Sequence, residues 1–508
     1  MLKKQKVFIT ACAAAIIIGC GGSGDGAGSD ASTQSVTPPT NVVNSYFSQN
    51  PLLLPDVSSY YSQLCGARTN AQSAVVVDLN NDGKKDLLFT LWCGQAQNGV
   101  YQPASVPVKN TIIAFVQQND GTFIDNTYKV FGTKLPNMGG IATTGMVADL
   151  NGDGLPDIVY NVTQEDGRSP DPVTGDITNN FAINVVLLSQ GDGTYSIVPY
   201  GPSSWWLGSK LVKNSNGGFD VYSRDYTSKG IIYRFLGNKS LEVIEESFKA
   251  INSNIILFFN SNYFEDDSVI TQNGIVNGLE FYKKISGIWE KLSSWSLPSS
   301  KIQFGKWTSW QGGHGLVPVI TIDENDYVSG VLDESCIFRP TPQSEKNIII
   351  GMTAYKFKNR FNGGDIIEGV GMEHYFGMLS FSTKDGVIVK NKISIDNEQT
   401  NIQKFSFTNS CRDINNDGYD DIIINTWGNN PKPIIYLNDK SGNLNLINTS
   451  NFPSSNINDG DSSMILEDIN GDKINDILYW PVAGLKSFDS KPVNYYLFPG
   501  INQLSSRP

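Results

Sequence analysis

Apolar residues along this chain fall in short runs separated by polar, glycine-rich turns. Ala74-Val-Val-Val and Leu87-Leu-Phe flank one turn, and Asn254-Ile-Ile-Leu-Phe-Phe and Gly315-Leu-Val-Pro-Val-Ile-Thr-Ile follow further on. Runs of this length, rich in β-branched and aromatic residues, predict strands. The stretches 218–236 and 278–290 read the same way. The N-terminus breaks the pattern. Val7 to Ile18 is a mostly apolar run of 12 residues preceded by Lys3, Lys4 and Lys6. It is too short to span a bilayer, which takes about 20 residues, and suits the apolar region of an export signal.

The signal ends in Ile17-Ile18-Gly19-Cys20, which resembles a bacterial lipobox. That resemblance implies cleavage after residue 19 and lipid on Cys20. With Gly21 following the cysteine, it implies an outer-membrane destination, on the periplasmic side or at the cell surface. Residues 20–50 then form the lipidated cysteine and a Gly/Ser/Thr/Pro-rich tether that has too little apolar surface to fold. Four cysteines remain in the exported body: Cys65, Cys93, Cys336 and Cys411. An oxidising compartment favours disulfides, and four cysteines allow three connectivities. Proximity in sequence suggests Cys65–Cys93 and Cys336–Cys411, with free buried thiols as the alternative.

Four turns share one pattern. Segments 75–89, 146–160, 411–424 and 466–479 carry Asp-x-Asn-x-Asp-Gly-x-x-Asp, except that the last has Lys473 in place of glycine. This is the spacing of a calcium loop, in which oxygens at alternate positions wrap one hard cation and glycine permits the sharp turn. The candidate side-chain ligands are Asp78, Asn80, Asp82 and Asp86, then Asp149, Asn151, Asp153 and Asp157. The third set is Asp413, Asn415, Asp417 and Asp421, and the fourth Asp468, Asn470, Asp472 and Asp476. Main-chain carbonyls would come from Lys84, Leu155, Tyr419 and Ile474. An EF-hand is rejected, because it needs flanking helices and a glutamate at the twelfth position. Phe89, Tyr160, Ile424 and Tyr479 stand there instead. Three carboxylates within nine residues repel one another, so four such turns without a cation would be costly. Lys473 makes the fourth the weakest site, by strain of about 1 kcal/mol and by its like charge beside the cation.

These motifs resemble the FG-GAP/VCBS repeat family, typified by the N-terminal propeller of integrin α chains. Segments 115–124 and 187–196, with Asn-Asp-Gly-Thr-Phe-like turns, match a later hairpin of that repeat, and 436–445 is a looser copy. The resemblance implies an all-β chain over 51–505, a β-propeller with calcium in the loop between the first two strands of four blades. First aspartates at 78, 149, 413 and 468 are 71 and 55 residues apart within pairs and 264 apart between them. That gap holds three motif-free blades, for seven in all, with eight open if 336–400 carries more than insertions. The alternative is two half-domains around an unrelated middle. Closure into a ring is preferred because it removes exposed sheet edges.

Charge adds a constraint. Asp and Glu outnumber Lys and Arg by 50 to 38, and an acidic balance excludes a nucleic-acid partner. With only two histidines, His314 and His374, a three-histidine zinc site is excluded. No catalytic motif is present, both histidines read as structural, and no catalytic residue is assigned. Trp205, Trp206, Trp289, Trp295, Trp307 and Trp310 crowd the motif-free middle, where core packing is preferred over sugar-stacking platforms. The expected function is a calcium-stabilised, outer-membrane-anchored binding, adhesion or interaction module for a protein or glycan. The alternatives are a propeller-fold polysaccharide lyase or glycoside hydrolase, and a scaffold of an envelope complex.

Overall fold

The structure, a computed structural model, describes residues between 46 and 504. Its larger breaks are at 57–69, 103–110, 164–183, 201–205, 246–267, 273–278, 296–301, 309–313, 322–326, 367–371, 392–407, 456–461 and 482–494, with shorter ones elsewhere. The signal, Cys20, Cys65 and Cys93 lie outside the described residues.

The predicted runs within that span are strands, in small antiparallel sheets taken up in chain order. The first sheet is Asn70–Val77, Asp86–Trp92, Ile112–Gln117 and Phe123–Asp125. The second is Met146–Ala148, Asp157–Tyr160, Asn184–Ser189 and Tyr195–Tyr200. The third runs Trp206–Lys213, Phe219–Asp225, Gly230–Phe235 and Leu241–Glu245. Three strands, Ser268–Gln272, Leu279–Ile285 and Ile288–Trp295, follow. Thr408–Arg412, Asp421–Asn425, Ile434–Asn438 and Leu444–Leu446 make the sheet of the third loop.

The central strands of the loop-bearing sheets are buried on both faces, so they alternate between two apolar neighbours instead of between core and water. In Asp86–Trp92, Leu87, Phe89 and Leu91 pack against Leu478, Trp480, Tyr495 and Leu497 of the last sheet. Leu88, on the opposite face, joins Ile158, Tyr160, Val185 and Leu187 of the second sheet. Val159, Val186 and Leu188 continue the series onto Val221, Ile231 and Tyr233 of the third. Ile423, Ile435 and Leu437 meet Met464, Ile477 and Tyr479 of the last sheet. Face-to-face packing in chain order, with the first sheet resting on the last, is a propeller-like all-β arrangement.

The last sheet shows how the ends meet. Its order is Leu52–Leu53, Tyr496–Phe498, Asp476–Pro481, Ser462–Glu467 and Trp427–Gly428, so an N-terminal strand completes a C-terminal sheet. Residues 46–50, placed with the tether above, belong to this folded body. Phe47 is 2% exposed within the last core cluster, and the Tyr46 carbonyl accepts from the Ile501 N–H at 2.9 Å. Burying a Phe helps to offset the cost of ordering this segment.

Between 302 and 391 eight strands form one sheet, because the long strand Tyr327–Phe338 pairs on one side with His314–Thr321 and on the other with Asn347–Phe357. Sheets and blades therefore do not correspond one to one in this region. Its far end is fastened by the Cys336–Cys411 disulfide, Cα atoms 5.4 Å apart, which joins that sheet to the sheet of the third loop. His314 and His374 sit on strands, opposite Thr308 and Tyr355. Trp289, half-buried, stands edge-on to buried Tyr222, centroids 6.5 Å apart. Among the described residues no helix is long and apolar enough to cross a membrane.

Candidate metal loops

Each of the four turns links two consecutive antiparallel strands of its sheet and takes the same conformation. The fourth position lies at positive φ in every copy: Asn81 at 58°, Gly152 at 78°, Asn416 at 57° and Gly471 at 81°. The sixth does so too, with Gly83, Gly154 and Gly418 at 83–88° and Lys473 at 70°. Only Asn and Gly fill the fourth position, the residues that tolerate this region best. That choice of residues is the sequence signal for a second left-handed position, one that the spacing of the aspartates does not carry.

The hydrogen bonds repeat as closely. The first-position carboxylate accepts from the sixth-position N–H in every loop, Asp78 from Gly83 at 2.8 Å and Asp468 from Lys473 at 2.9 Å. The third-position Asn Oδ1 accepts from the fifth N–H, and the fifth Asp Oδ1 from the seventh N–H. Thus the first three side-chain ligands predicted in each loop all accept from N–H groups of their own turn.

The ninth-position aspartates do something the spacing did not disclose. Asp86, Asp157, Asp421 and Asp476 are fully buried. One oxygen of each accepts from the second-position N–H of its own loop, from Leu79, Leu150, Ile414 or Ile469 at 2.8–3.0 Å. The other accepts from the strand that follows, at Gln117, Ser189 or Asn438, or for Asp476 from Gly500 just past Tyr496–Phe498, at 2.8–2.9 Å. Each therefore fastens the loop to a segment 17 to 32 residues away. Burial pushes these carboxyls up, to about 6 for Asp86, Asp157 and Asp476 and about 7 for Asp421. The main-chain N–H groups oppose that rise, and neighbouring aspartates add to it. We expect Asp421→Ala to orphan the Ile414 and Asn438 N–H groups and destabilise the protein by about 2–5 kcal/mol, read from chemical denaturation.

Among the described residues no group of three or more His, Cys, Asp or Glu is gathered to hold a metal ion. The loop carboxylates face main-chain N–H groups, and Asp82 also pairs with Lys84 at 2.8 Å. The donor set nevertheless fits calcium by its chemistry. Every candidate donor is an oxygen, from Asp, Asn or a carbonyl, as a hard cation requires. These are the residues that would hold it.

Residues 413–479, the span holding the last two loops, match an FG-GAP-like repeat. No curated protein matches the chain. Among solved structures, it is similar to the Pseudomonas aeruginosa periplasmic gluconolactonase PpgL, at 10% identity and TM-score 0.38, over 74% of this chain and 84% of that one. The rhamnogalacturonan lyase YesW has 12% identity and TM-score 0.37, over 90% and 76%. BBS1N in complex with ARL6DN has 7% identity and TM-score 0.37, over 90% and 99%.

Lys473 is the one side chain at the sixth position, and it carries the strain of a β-carbon in the left-handed region. Lys473→Gly should stabilise the protein by up to about 1 kcal/mol, measured as a higher denaturation midpoint. An unchanged or lower midpoint would show that no strain resides there.

Proposed function

We propose that this protein is a calcium-stabilised propeller that serves as a binding or interaction module for a protein or glycan, held at the bacterial outer membrane through lipid on Cys20. The observation that carries the reading is the repetition of one loop geometry in four sheets: two left-handed positions, oxygen donors at alternate positions, and a buried aspartate tying each loop to a main-chain N–H 17 to 32 residues on. A cation at such a loop would neutralise three carboxylates and stiffen the turn that joins the two inner strands. The chain's own part is to orient those oxygens, through the fifth, sixth and seventh N–H groups, and to exclude water from the ninth-position carboxylate. Rigid loops on a closed frame are a platform for recognition by neighbouring surfaces.

Two measurements test it. Calorimetric titration of chelator-stripped protein with Ca²⁺ should show about four sites, the weakest removed by Asp472→Ala. Incubation with mixed polysaccharides should deplete a bound glycan without new reducing ends, or leave glycans untouched while a partner protein co-purifies. New reducing ends would replace the binding reading with the lyase or hydrolase. Absence of calcium uptake would remove the metal from it.

A further inference from the structure

The third and fourth loops are not independent turns. Asn416, the fourth position of the third loop, donates from Nδ2 to the Lys473 carbonyl of the fourth loop at 2.8 Å. In return Asn475, the eighth position of the fourth loop and buried, donates from Nδ2 to the Ile414 carbonyl of the third. Just below, Arg412 donates to the Leu466 carbonyl, and its guanidinium lies 4.0 Å from Glu467. Gln503 donates to the Lys473 carbonyl as well.

These contacts fall at a telling place. Ile474 is the residue whose carbonyl is the candidate main-chain ligand of the fourth loop. It is bracketed by Lys473 and Asn475, the two residues bonded to the third loop. Ile414, which receives the return bond, is itself held by Asp421 at 3.0 Å. The orientation of the Ile474 peptide is thus set in part by the third loop, and the third loop's anchor is loaded by the fourth. Corresponding positions elsewhere cannot build this junction from the second loop, because Gly152 and Pro156 stand where Asn416 and Asn475 would be needed.

We propose that the third and fourth loops fill as one cooperative pair, with Asn416 and Asn475 as the positioning residues that transmit order between them. The inference rests on the calcium reading above. It accounts for how a loop with lysine in the glycine position keeps the conformation of the other three: its strained residue is held at the carbonyl by its neighbour. A cation that orders the third loop removes part of the ordering cost of the fourth, and linkage makes the effect reciprocal.

The test uses the full chain with Asp78→Asn and Asp149→Asn silencing the first two loops. CaCl₂ is titrated into chelator-stripped protein by calorimetry, and Trp480 fluorescence, from the strand that follows the fourth loop, provides a second readout. The expected result is two sites with a Hill coefficient above 1. Adding Asn416→Gly, an exposed change that suits the left-handed turn and removes the amide donor, should keep two sites, bring the coefficient to about 1 and weaken the fourth by about fivefold. Silencing the third loop with Asp413→Asn should weaken the fourth to the same degree, and by little more once Asn416 is already glycine. Superimposable titrations with and without Asn416→Gly would overturn the coupling while leaving calcium binding standing. No uptake by the unmutated protein would overturn both.

Discussion

Removing residues 46–54 is expected to leave a chain that aggregates or melts far below the parent. This segment supplies the outer strand of the last sheet, with Leu52 opposite Leu497 and Leu53 opposite Tyr496. On either side of that pairing the Ser48 N–H donates to the Pro499 carbonyl at 2.8 Å and the Leu54 N–H to the Tyr495 carbonyl at 3.1 Å. Phe47 packs edge-on against Phe452, centroids 4.8 Å apart, and Leu54 lies in the cluster shared by the first and last sheets. Losing two buried side chains of this size costs about 5–10 kcal/mol, as much as the whole stability of many folds. It also bares the Tyr496–Phe498 edge to other chains. The milder Phe47→Ala should cost about 3–5 kcal/mol and keep the protein soluble. Thermal unfolding with light scattering reads both, and a deletion that melts like the parent would refute the latch. The same edit should loosen the fourth loop, because Phe47 bridges to Gly500, whose N–H holds Asp476. Gly500 must stay glycine there: a β-carbon would collide with the Asn475 carbonyl.

Chelation is the second large effect. A ligand present at a hundredfold its dissociation constant stabilises by about 2.7 kcal/mol per site. Four loops would then contribute about 10 kcal/mol, or about ten degrees of melting temperature at this size. We expect EGTA to lower the melting temperature by about that amount and added Ca²⁺ to restore it, with Mg²⁺ doing less. The pH dependence sharpens the prediction. In the metal-free protein the ninth-position aspartates have pKa values raised by burial to about 6 or 7, against an ordinary 3.8. The folded state therefore holds protons that the unfolded state has released, so stability falls as pH rises from about 4 to about 7. A cation competes with those protons, so the gap between calcium and EGTA should widen over the same window. Melting curves at pH 4.5, 5.5 and 7 in each condition measure this, and a gap that does not depend on pH would rule out these carboxyls as part of the linked site.

How much of this was legible in the chain can be seen residue by residue. The strands beside each loop were readable because Ala74-Val-Val-Val and Leu87-Leu-Phe are short and dense in residues that pack on pleated surfaces. The loop's left-handed sixth position was readable because glycine recurs there. Both are local: a few consecutive residues contain the cause. The Cys336–Cys411 bridge, suggested by proximity in sequence, joins residues 75 apart on two sheets, so the fold had to bring them together.

What the tertiary structure decided is what lies far away in sequence. Nothing in Asp421 announces that Asn438 will donate to it, nor in Asp476 that Gly500 will, because each partner is a main-chain N–H whose position depends on strand order. Nothing in Leu52-Leu53 distinguishes a strand from the end of a tether until Tyr496–Phe498 offers it an edge. The merging of strands between 302 and 391 into one sheet likewise depends on how Tyr327–Phe338 is paired on both sides. The strands, the turns and the chemistry of the loop oxygens depend on side chains and local dihedral preference, and consecutive residues suffice to specify them. Register, ring closure and the fastening of one loop to another depend on main-chain groups that are the same in every residue, so only the fold could assign their partners.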